Sequence, residues 1–286
     1  MPDWKDASAP GAVRGLVRRA ASTGVFETAR FPPGPALDPW VAHVWTVDWE
    51  LGDAPPFETR VISAAALHLT AEGGDPGEVR HGHLMPATLL HGAVTRVFRV
   101  GLRGTGWVVG ARFHPDGAHP WTGTDAALLR DHAVPAAALP GPLPADLHTR
   151  LAGLAPAERA AAFVEALTAV RPAETGGDPD LGVLVERMES DPSLVRVEQL
   201  VELAGCSVRT LQRRFRHHLG VSPKWVLARA RLQEAALALE QDPDPDLAAL
   251  AVRLGWYDQA HLTNALRQML GETPARYAAR ARERRG

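Results

Sequence analysis

Short segments in the first half of the chain alternate between hydrophobic and polar residues. In residues 41–51 the odd positions, among them Trp45 and Trp49, are mainly apolar and the even positions are mainly polar. A period of two is typical of a strand that buries one face. Further strands are predicted at 61–70, 94–102 and 107–113. Gly, Pro and Asp turns separate these segments, which favours an antiparallel sandwich or barrel over residues 20–145.

The pattern changes after residue 145. Residues 155–170 are Ala-rich with helical spacing, and residues 171–180 (RPAETGGDPD) have the composition of a linker. We therefore assign 146–180 to a helix and a linker, and 181–286 to a helical domain. The predicted fold class is α+β, with an N-terminal mainly-β domain, cupin-like or barrel-like, followed by an all-α domain.

The helical domain contains an internal duplication, with copies at residues 197–219 and 247–270. Each copy has a short amphipathic helix, a turn that contains Gly and a longer helix. Ser207 and Asp258 stand where an N-cap of the longer helix is expected. The pattern predicts two helix-turn-helix units.

The longer helix of the first copy has an apolar stripe and an opposite stripe without acidic residues. That second stripe, at positions i, i+3, i+4 and i+7, consists of Arg209, Gln212, Arg213 and Arg216. Arg can bond bidentately to guanine and Gln to adenine in the major groove. A helix that is merely solvated usually mixes Glu and Lys along such a face. The stripe therefore favours DNA binding.

The longer helix of the second copy is less basic. Its predicted outward residues are Gln259, Ala260, His261, Asn264 and Arg267. Two interpretations are open. Either these side chains read bases or contact phosphate, or the second helix-turn-helix unit mainly positions the first unit. Residues 222–240 between the copies read as one amphipathic helix. As a rigid connector, it would hold the two reading helices about 34 Å apart, one turn of B-DNA.

Charge is distributed unevenly over the 286 residues. The net charge is −2, yet residues 181–286 carry 16 Lys/Arg against 13 Asp/Glu, and no acid lies between Glu202 and Glu234. Arg214, Arg216 and Lys224 lie in this basic segment, and we expect them to contact phosphate or solvent. A composition of 45% hydrophobic and 22% charged residues excludes general disorder.

The sequence also predicts where the protein resides. The N-terminus lacks the pattern of a secretory signal, no apolar run reaches the roughly 18 residues of a spanning helix, and Cys206 is the single cysteine. We expect a cytoplasmic protein without a membrane partner.

Two strings in the helical domain resemble the DNA-binding domain of AraC/XylS-type transcription regulators. They are AGCSVRTLQRRF with LGVSP (204–215 and 219–223), and LGW, DQAHL and GETP (254–256, 258–262 and 271–274) followed by Tyr277. The resemblance covers about residues 181–280. It implies a seven-helix domain that places two recognition helices in successive major grooves. By position, the implied base-reading residues are Arg209, Gln212, Arg213, Ala260, His261 and Asn264.

The second copy departs from this family pattern. Relatives usually have Phe where this chain has Trp256, Leu262, Leu266 and Met269. Asn264 often corresponds to Arg, and Ala260 offers no side-chain hydrogen bond. The apolar replacements preserve a core, but readout by the second helix is expected to be weaker.

The N-terminal segments PWVAHVW (39–45) and GARFHPDG (110–117) resemble an uncharacterised sensor-like domain that often precedes this DNA-binding module. In better-known relatives the N-terminal domain is a cupin-like barrel that binds a small molecule and mediates dimerisation. By analogy, a small-molecule effector and a homodimer are expected here.

Other candidate sites are weaker. His81 and His83 form a pair of the kind that binds metals in cupins, but no acid follows them closely. Several tryptophans could line a ligand pocket, but aromatic residues at alternating strand positions are more often simply core residues. No nucleophile elbow, phosphate loop or HExxH pattern is found. We predict no catalytic residue, no metal site and no cofactor, and leave the effector site unknown.

The sequence thus predicts a sequence-specific transcription regulator that is not an enzyme. Its partners would be double-stranded promoter DNA and, for the activation common among relatives, RNA polymerase. Two alternatives remain open: a metal-dependent cupin-like enzyme with a helical targeting domain, and an effector-free module that regulates DNA-bound partners.

Overall fold

The computed structural model describes residues 16–17, 25–61, 65–173, 178–242 and 246–283. The order of elements confirms the predicted fold class: a β-rich N-terminal domain precedes a helical C-terminal domain. In the described part of the chain, no helix combines the length and the apolar character needed to cross a bilayer.

The N-terminal domain contains eleven strands in the described residues. Their bounds are β1 Leu16–Val17, β2 Val25–Phe31, β3 Val41–Glu50, β4 Phe57–Val61, β5 His68–Gly73, β6 Val79–Arg80, β7 His83–Leu84, β8 Ala87–His91, β9 Phe98–Leu102, β10 Thr105–Phe113 and β11 Ala133–Pro135. They form a six-stranded sheet in the order β11-β8-β5-β10-β3-β2, a three-stranded sheet β1-β4-β9 and the hairpin β6-β7. All pairings are antiparallel.

The strand predictions are confirmed in part. Strands β3 and β10 match the predicted segments 41–51 and 107–113 closely. The predicted strand 61–70 is wrong, because its two ends belong to β4 and β5 in different sheets, and residues 62–64 lie outside the described residues. The predicted strand 94–102 begins four residues later, at Phe98.

Strand β3 is covered on both faces, so its predicted half-burial is wrong. Val44 packs in the main N-terminal core. Trp49 packs in a second cluster, together with Val108 of β10 and with Leu102 of β9 in the three-stranded sheet. The period-two pattern therefore predicts the strand but not its surroundings. Trp40, Trp49 and Trp121 are buried core residues, in agreement with the core interpretation of the tryptophans.

Three short helices and two 3₁₀ turns cover the large sheet: α1 His119–Thr122, α2 Leu147–Arg150, α3 Pro156–Ala169, and the turns Ala126–Leu128 and Ala136–Ala138. Leu147 and Phe163 are fully buried in the N-terminal core. Arg159 of α3 bonds Asp48 of β3 at 2.5 Å and lies 4.4 Å from the Trp107 ring. The segment that the sequence set apart as helix and linker therefore packs, up to α3, with the β-rich domain.

The C-terminal domain consists of seven helices in the described residues: α4 Pro179–Ser190, α5 Val197–Ala204, α6 Val208–Leu219, α7 Pro223–Gln241, α8 Leu247–Arg253, α9 Gln259–Leu270 and α10 Pro274–Glu283. The predicted helix 222–240 is confirmed as α7, with Ser222 as its N-cap and Pro223 in its first turn. Two cores result, one around α4–α6 and one around α8–α10.

Candidate nucleic-acid interface

The first helix-turn-helix unit consists of α5 and α6. Gly205 ends α5 in the left-handed conformation, with φ of 57°, and Ser207 caps α6 by accepting a hydrogen bond from the Thr210 amide at 3.2 Å. Leu211, Phe215 and Leu219 of α6 are fully buried. The turn, the cap and the apolar stripe that predicted this unit are therefore present, except that Val208, expected to point inward, is exposed.

The buried stripe of α6 leaves the predicted reading stripe in solvent. Arg209, Gln212, Arg213 and Arg216 are all exposed, and Lys224 is exposed in the first turn of α7. The three arginines share one stripe of α6, and Lys224 follows them at the start of α7. An exposed stripe of this composition has the hydrogen-bond donors that major-groove edges and phosphates accept.

The sequence predicts that Arg214 contacts phosphate or solvent, but in the structure it pairs with an acidic residue of the same chain. Its guanidinium donates two hydrogen bonds to the carboxylate of Asp178, the residue that caps α4. Burial alone would raise the pKa of Asp178, but the hydrogen bonds and the charge of Arg214 outweigh burial and lower that pKa. Arg214 therefore fastens α6 to the start of α4.

Two further arginines of the basic segment are also engaged within the protein. Arg229 of α7 is buried, and its guanidinium lies 5.7 Å from the Trp225 ring. Arg231 donates to the carbonyl of Leu254 at 3.3 Å. The charge count of the sequence therefore overstates how much positive charge faces solvent.

The second unit, α8 and α9, repeats the first with a turn two residues longer. Asp258 caps α9 by accepting from the His261 amide at 2.7 Å, and Gly271 ends α9 with φ of 72°. The predicted outward residues are exposed: Gln259, Ala260, His261, Asn264 and Arg267. The His261 ring meets the Trp256 ring edge-on at 5.0 Å, which orients the imidazole.

Helix α7 belongs to both units. Val226 and Leu227 pack in the first core, whereas Leu232 and Leu239 pack in the second. The helix has 19 residues, which makes it about 28 Å long. Because one helix is buried in both cores, the orientation of α9 relative to α6 is fixed by packing. The expected separation of 34 Å between the two reading helices stays a prediction.

The C-terminal end of α6 contacts the N-terminal domain. Gly220 lies so close to the 3₁₀ turn Ala126–Leu128 that an added Cβ would come within 2.5 Å of the Ala126 carbonyl oxygen. The His217 ring lies 4.4 Å from the His119 ring, and its Nδ1 is 3.9 Å from the Asp125 carboxylate. Sequence reasoning did not find this contact, because residues about ninety positions apart carry no local signal of proximity.

A cleft of about 610 Å³ lies at this contact. It is lined by Asp125, Arg213, Arg214, Arg216, His217 and His218. Burial, followed by the charge of His217, lowers the pKa of His218 to about 4. One wall of the cleft is therefore a carboxylate of the N-terminal domain, and the other belongs to the helix that carries the reading stripe.

A second group of ionisable side chains is buried in the N-terminal domain. Glu72, His81 and His91 place one ligand atom each within 4.8 Å of one another. Burial lowers the pKa of His81 to about 4. The histidine pair singled out in the sequence is divided, because His83 instead contacts the Ala133 carbonyl oxygen at 2.9 Å. The acid that the sequence lacked after the pair comes from β5, which precedes it.

Two helix-turn-helix units that share one connecting helix define a tandem helix-turn-helix DNA-binding domain. Residues 200–280 match the family model of a helix-turn-helix domain, and residues 29–135 match a domain of unknown function, DUF6597. The chain therefore contains an AraC-type helix-turn-helix domain preceded by a DUF6597 domain, as both resemblances in the sequence predicted.

The similar proteins with assigned names are transcription regulators. Over 81 residues the chain is 36% identical to an uncharacterised HTH-type transcriptional regulator of Haemophilus influenzae, covering 28% of this chain and 27% of that protein. Over 101 residues it is 30% identical to the HTH-type transcriptional regulator MtrA of Neisseria gonorrhoeae, covering 35% of this chain and 33% of that protein. The matches span about a third or less of each relative.

Solved structures of regulators are also similar. A probable AraC family transcriptional regulator from Rhodopseudomonas palustris shares 28% identity and has a TM-score of 0.33, covering 36% of this chain and 98% of that chain. ToxT from Vibrio cholerae shares 9% identity and has a TM-score of 0.39, covering 91% of this chain and 99% of that chain.

Proposed function

We propose that this protein is a sequence-specific transcription regulator that binds promoter DNA through both helix-turn-helix units and responds to a small-molecule effector. The observation that carries the proposal is the exposed, acid-free stripe of α6. A packed helix that keeps Arg209, Gln212 and Arg213 in solvent has the donors needed to read base edges. The AraC-type domain favours this function over the enzymatic alternative.

In the proposed complex, side chains of α6 read bases and their neighbours hold the backbone. Arg209, Gln212 and Arg213 contact base edges, while Arg216 and Lys224 contact phosphates. We leave Arg214 out of the DNA contacts, because Asp178 occupies its guanidinium. Helix α9 adds a weaker set of contacts through Gln259, His261, Asn264 and Arg267.

The proposed response to an effector uses the contact between the two domains. Helix α6 packs against the 3₁₀ turn Ala126–Leu128, so a change in the N-terminal domain acts on the reading helix without an intermediate linker. An effector changes DNA affinity only if its own affinity differs between the domain arrangement of the free protein and the arrangement that binds DNA. We propose that the protein activates transcription through RNA polymerase. We also propose that it acts as a homodimer in the cytoplasm.

The experiment that tests this proposal is selection of bound sites from random double-stranded DNA by the full chain. We expect a bipartite motif, with a better defined half for α6 than for α9. Binding is then measured for the selected and a scrambled site over a range of salt concentrations, because affinity at one salt concentration confounds phosphate and base contacts. Equal affinity for both sites at every salt concentration would overturn the proposal.

A further inference from the structure

Three side chains, two from strands β5 and β8 and one from the turn between β6 and β7, meet in the interior of the N-terminal domain. The Nε2 of His91 lies 3.1 Å from Oε1 of Glu72, and the Nε2 of His81 lies 3.6 Å from Oε2 of the same carboxylate. Glu72 is 1% and His91 8% exposed. These residues are distant from the reading stripe in the sequence, and the proposed DNA contacts do not use them.

The turn between β6 and β7 directs one of the ligands inward. Arg80 pairs with His83, which leaves His81 and Gly82 as a two-residue loop, with φ of 53° and 83°. Such a loop favours Asn-Gly or Gly-Gly, since both residues are left-handed. In this chain His81 occupies the first position, and its ring stacks on Phe98 at 5.2 Å.

We propose that Glu72, His81 and His91 bind one divalent first-row transition-metal ion. Two imidazoles and one carboxylate are ligands that Zn²⁺ and its neighbours accept, and three protein ligands leave one position for water or a small molecule. In a tetrahedral site with bonds of about 2.1 Å, ligand atoms are about 3.4 Å apart. In the structure each imidazole faces its own oxygen of Glu72, His91 at 3.1 Å from Oε1 and His81 at 3.6 Å from Oε2, and the three ligand atoms lie within 4.8 Å of one another.

Neighbouring side chains hold the carboxylate in place. Thr70 donates its hydroxyl to Glu72 Oε1 at 2.7 Å, and Arg80 donates to Glu72 Oε2 at 3.2 Å. Arg80 also contacts Glu78 at 3.0 Å. Partners of this kind commonly orient the ligands of a metal site. Apart from the imidazoles, the charged groups here are the carboxylates of Glu72 and Glu78 and the guanidinium of Arg80. Their net charge is negative, which favours binding of a cation.

This inference reverses the sequence-based expectation of no metal site. The expectation followed from the missing acid after His83, but in the folded protein Glu72 of β5 supplies a carboxylate 3.1 Å from His91 and 3.6 Å from His81. The inference concerns metal binding alone, so it stands whether or not the proposed DNA sequence preference is found.

The test is titration of the full chain, after treatment with a chelator, with Co²⁺ and Zn²⁺. We expect one equivalent of Co²⁺ to bind and produce the visible absorption of a site with nitrogen and oxygen ligands, and Zn²⁺ to displace it. The informative variant is His81→Asn, because Asn suits the left-handed turn and keeps the fold while removing the imidazole. We expect His81→Asn and His91→Gln each to weaken binding by at least about 100-fold.

Two control variants make the result specific. His83→Asn removes the other histidine of the pair, and His217→Asn removes one from the separate group with His119 and His218; both should bind Co²⁺ like the unmodified chain. The proposal is overturned if no stoichiometric Co²⁺ binds, if His81→Asn binds as tightly as the unmodified chain, or if either control loses binding to the same extent. Circular dichroism confirms that each variant is folded.

Discussion

Arg213 and Lys224 differ in what they can contribute to a DNA complex. Both side chains are exposed, but Arg213 lies in the middle of the α6 stripe and Lys224 at the start of α7. A guanidinium can bond guanine O6 and N7 together, whereas an ammonium acts on phosphate as a point charge. The two residues therefore form a pair in which base reading and phosphate binding can be separated.

We expect Arg213→Ala to weaken binding to the selected site by roughly 1–3 kcal/mol and to relax specificity at one base pair. Lys224→Ala should weaken binding about equally on all sequences and lower the slope of log affinity against log salt by about 1. Both effects are measured by competition binding on a set of single-base variants of the site. A uniform loss in Arg213→Ala would contradict base reading by this residue.

The cap of α9 supports a second prediction for a single residue. Asp258 accepts a hydrogen bond from the His261 amide at 2.7 Å and so satisfies one of the unpaired donors at the helix start. We expect Asp258→Ala to lower the free energy of unfolding by about 1 kcal/mol, measured by urea denaturation. Asp258→Asn is the matched control and should stay close to the unmodified chain. Equal losses in the two variants would show that the cap is not the cause.

The sequence predicts a site residue well when its interaction partners are close to it along the chain. The exposed stripe and the caps Ser207 and Asp258 follow from helical periodicity within one turn or two, and the structure has them as expected. The engagement of Arg214 by Asp178 and the meeting of Glu72 with His81 depend on tertiary packing. No periodicity encodes such contacts.

At the scale of elements, helices were easier to predict than strands. The recognition helices α6 and α9 have an amphipathic period and N-caps, and α7 begins with the N-cap Ser222 and Pro223; all of these signals are local. The predicted segments do not include strands β2 and β8 or the short strands β1, β6, β7 and β11. Strand β8 lies between β5 and β11 in the large sheet, and its five residues, ATLLH, are mostly apolar without alternation. Short strands of this kind owe their existence to pairing partners elsewhere in the chain.

The shared helix α7 leads to a prediction about DNA spacing. Because α7 is buried in both cores, the two recognition helices should tolerate little change in their separation. Inserting about 5 base pairs between the two halves of the selected site turns one half to the opposite face of the duplex. We expect the contribution of the α9 half to be lost, measured as the difference in affinity between sites with and without that half.

An insertion of about 10 base pairs distinguishes a rigid from a flexible connection. This longer insertion restores the face of the duplex but adds one full turn of distance. With α7 as a rigid connector, the contribution of the α9 half should stay lost. Recovery at the longer spacing would contradict the rigid connection within one chain.

At the scale of the whole molecule, the ion pair of Asp178 and Arg214 fastens α6 to α4 and depends on pH. The pKa of Asp178 is lowered in the folded protein. A carboxyl with a lowered pKa stabilises the fold above its unfolded pKa of about 3.9, and this contribution is lost as the pH falls through the folded value. The contribution is therefore fully present at neutral pH.

We expect Asp178→Asn to be less stable than the unmodified chain at neutral pH, and the difference to shrink below about pH 4. Asn keeps the ability to cap α4, so the comparison isolates the charge. The measurement is urea denaturation of both proteins across this pH range. A difference that stays constant from neutral to acidic pH would show that the carboxylate charge does not stabilise the fold.

The contact between the domains places one negative charge beside the proposed DNA surface. Asp125 has a side chain 43% exposed, 3.9 Å from His217, and it lines the same cleft as Arg213 and Arg216. A phosphate that approaches these arginines meets the repulsion of the Asp125 carboxylate. Such repulsion acts on the backbone of any sequence, because phosphates carry no base information.

Asp125→Asn should therefore raise DNA affinity without changing base preference. Its Oδ1 accepts a hydrogen bond from the Ala127 amide at 2.8 Å, and Asn can keep this contact while the charge is removed. An exposed charge interaction is worth up to about 1 kcal/mol, so we expect an increase of about two- to five-fold at low salt, fading as salt screens the charges. Asp53→Asn, on the turn after β3, controls for the loss of one negative charge elsewhere. An equal increase in that control, or an altered base preference in Asp125→Asn, would mean that the N-terminal domain does not act electrostatically on the DNA surface of α6.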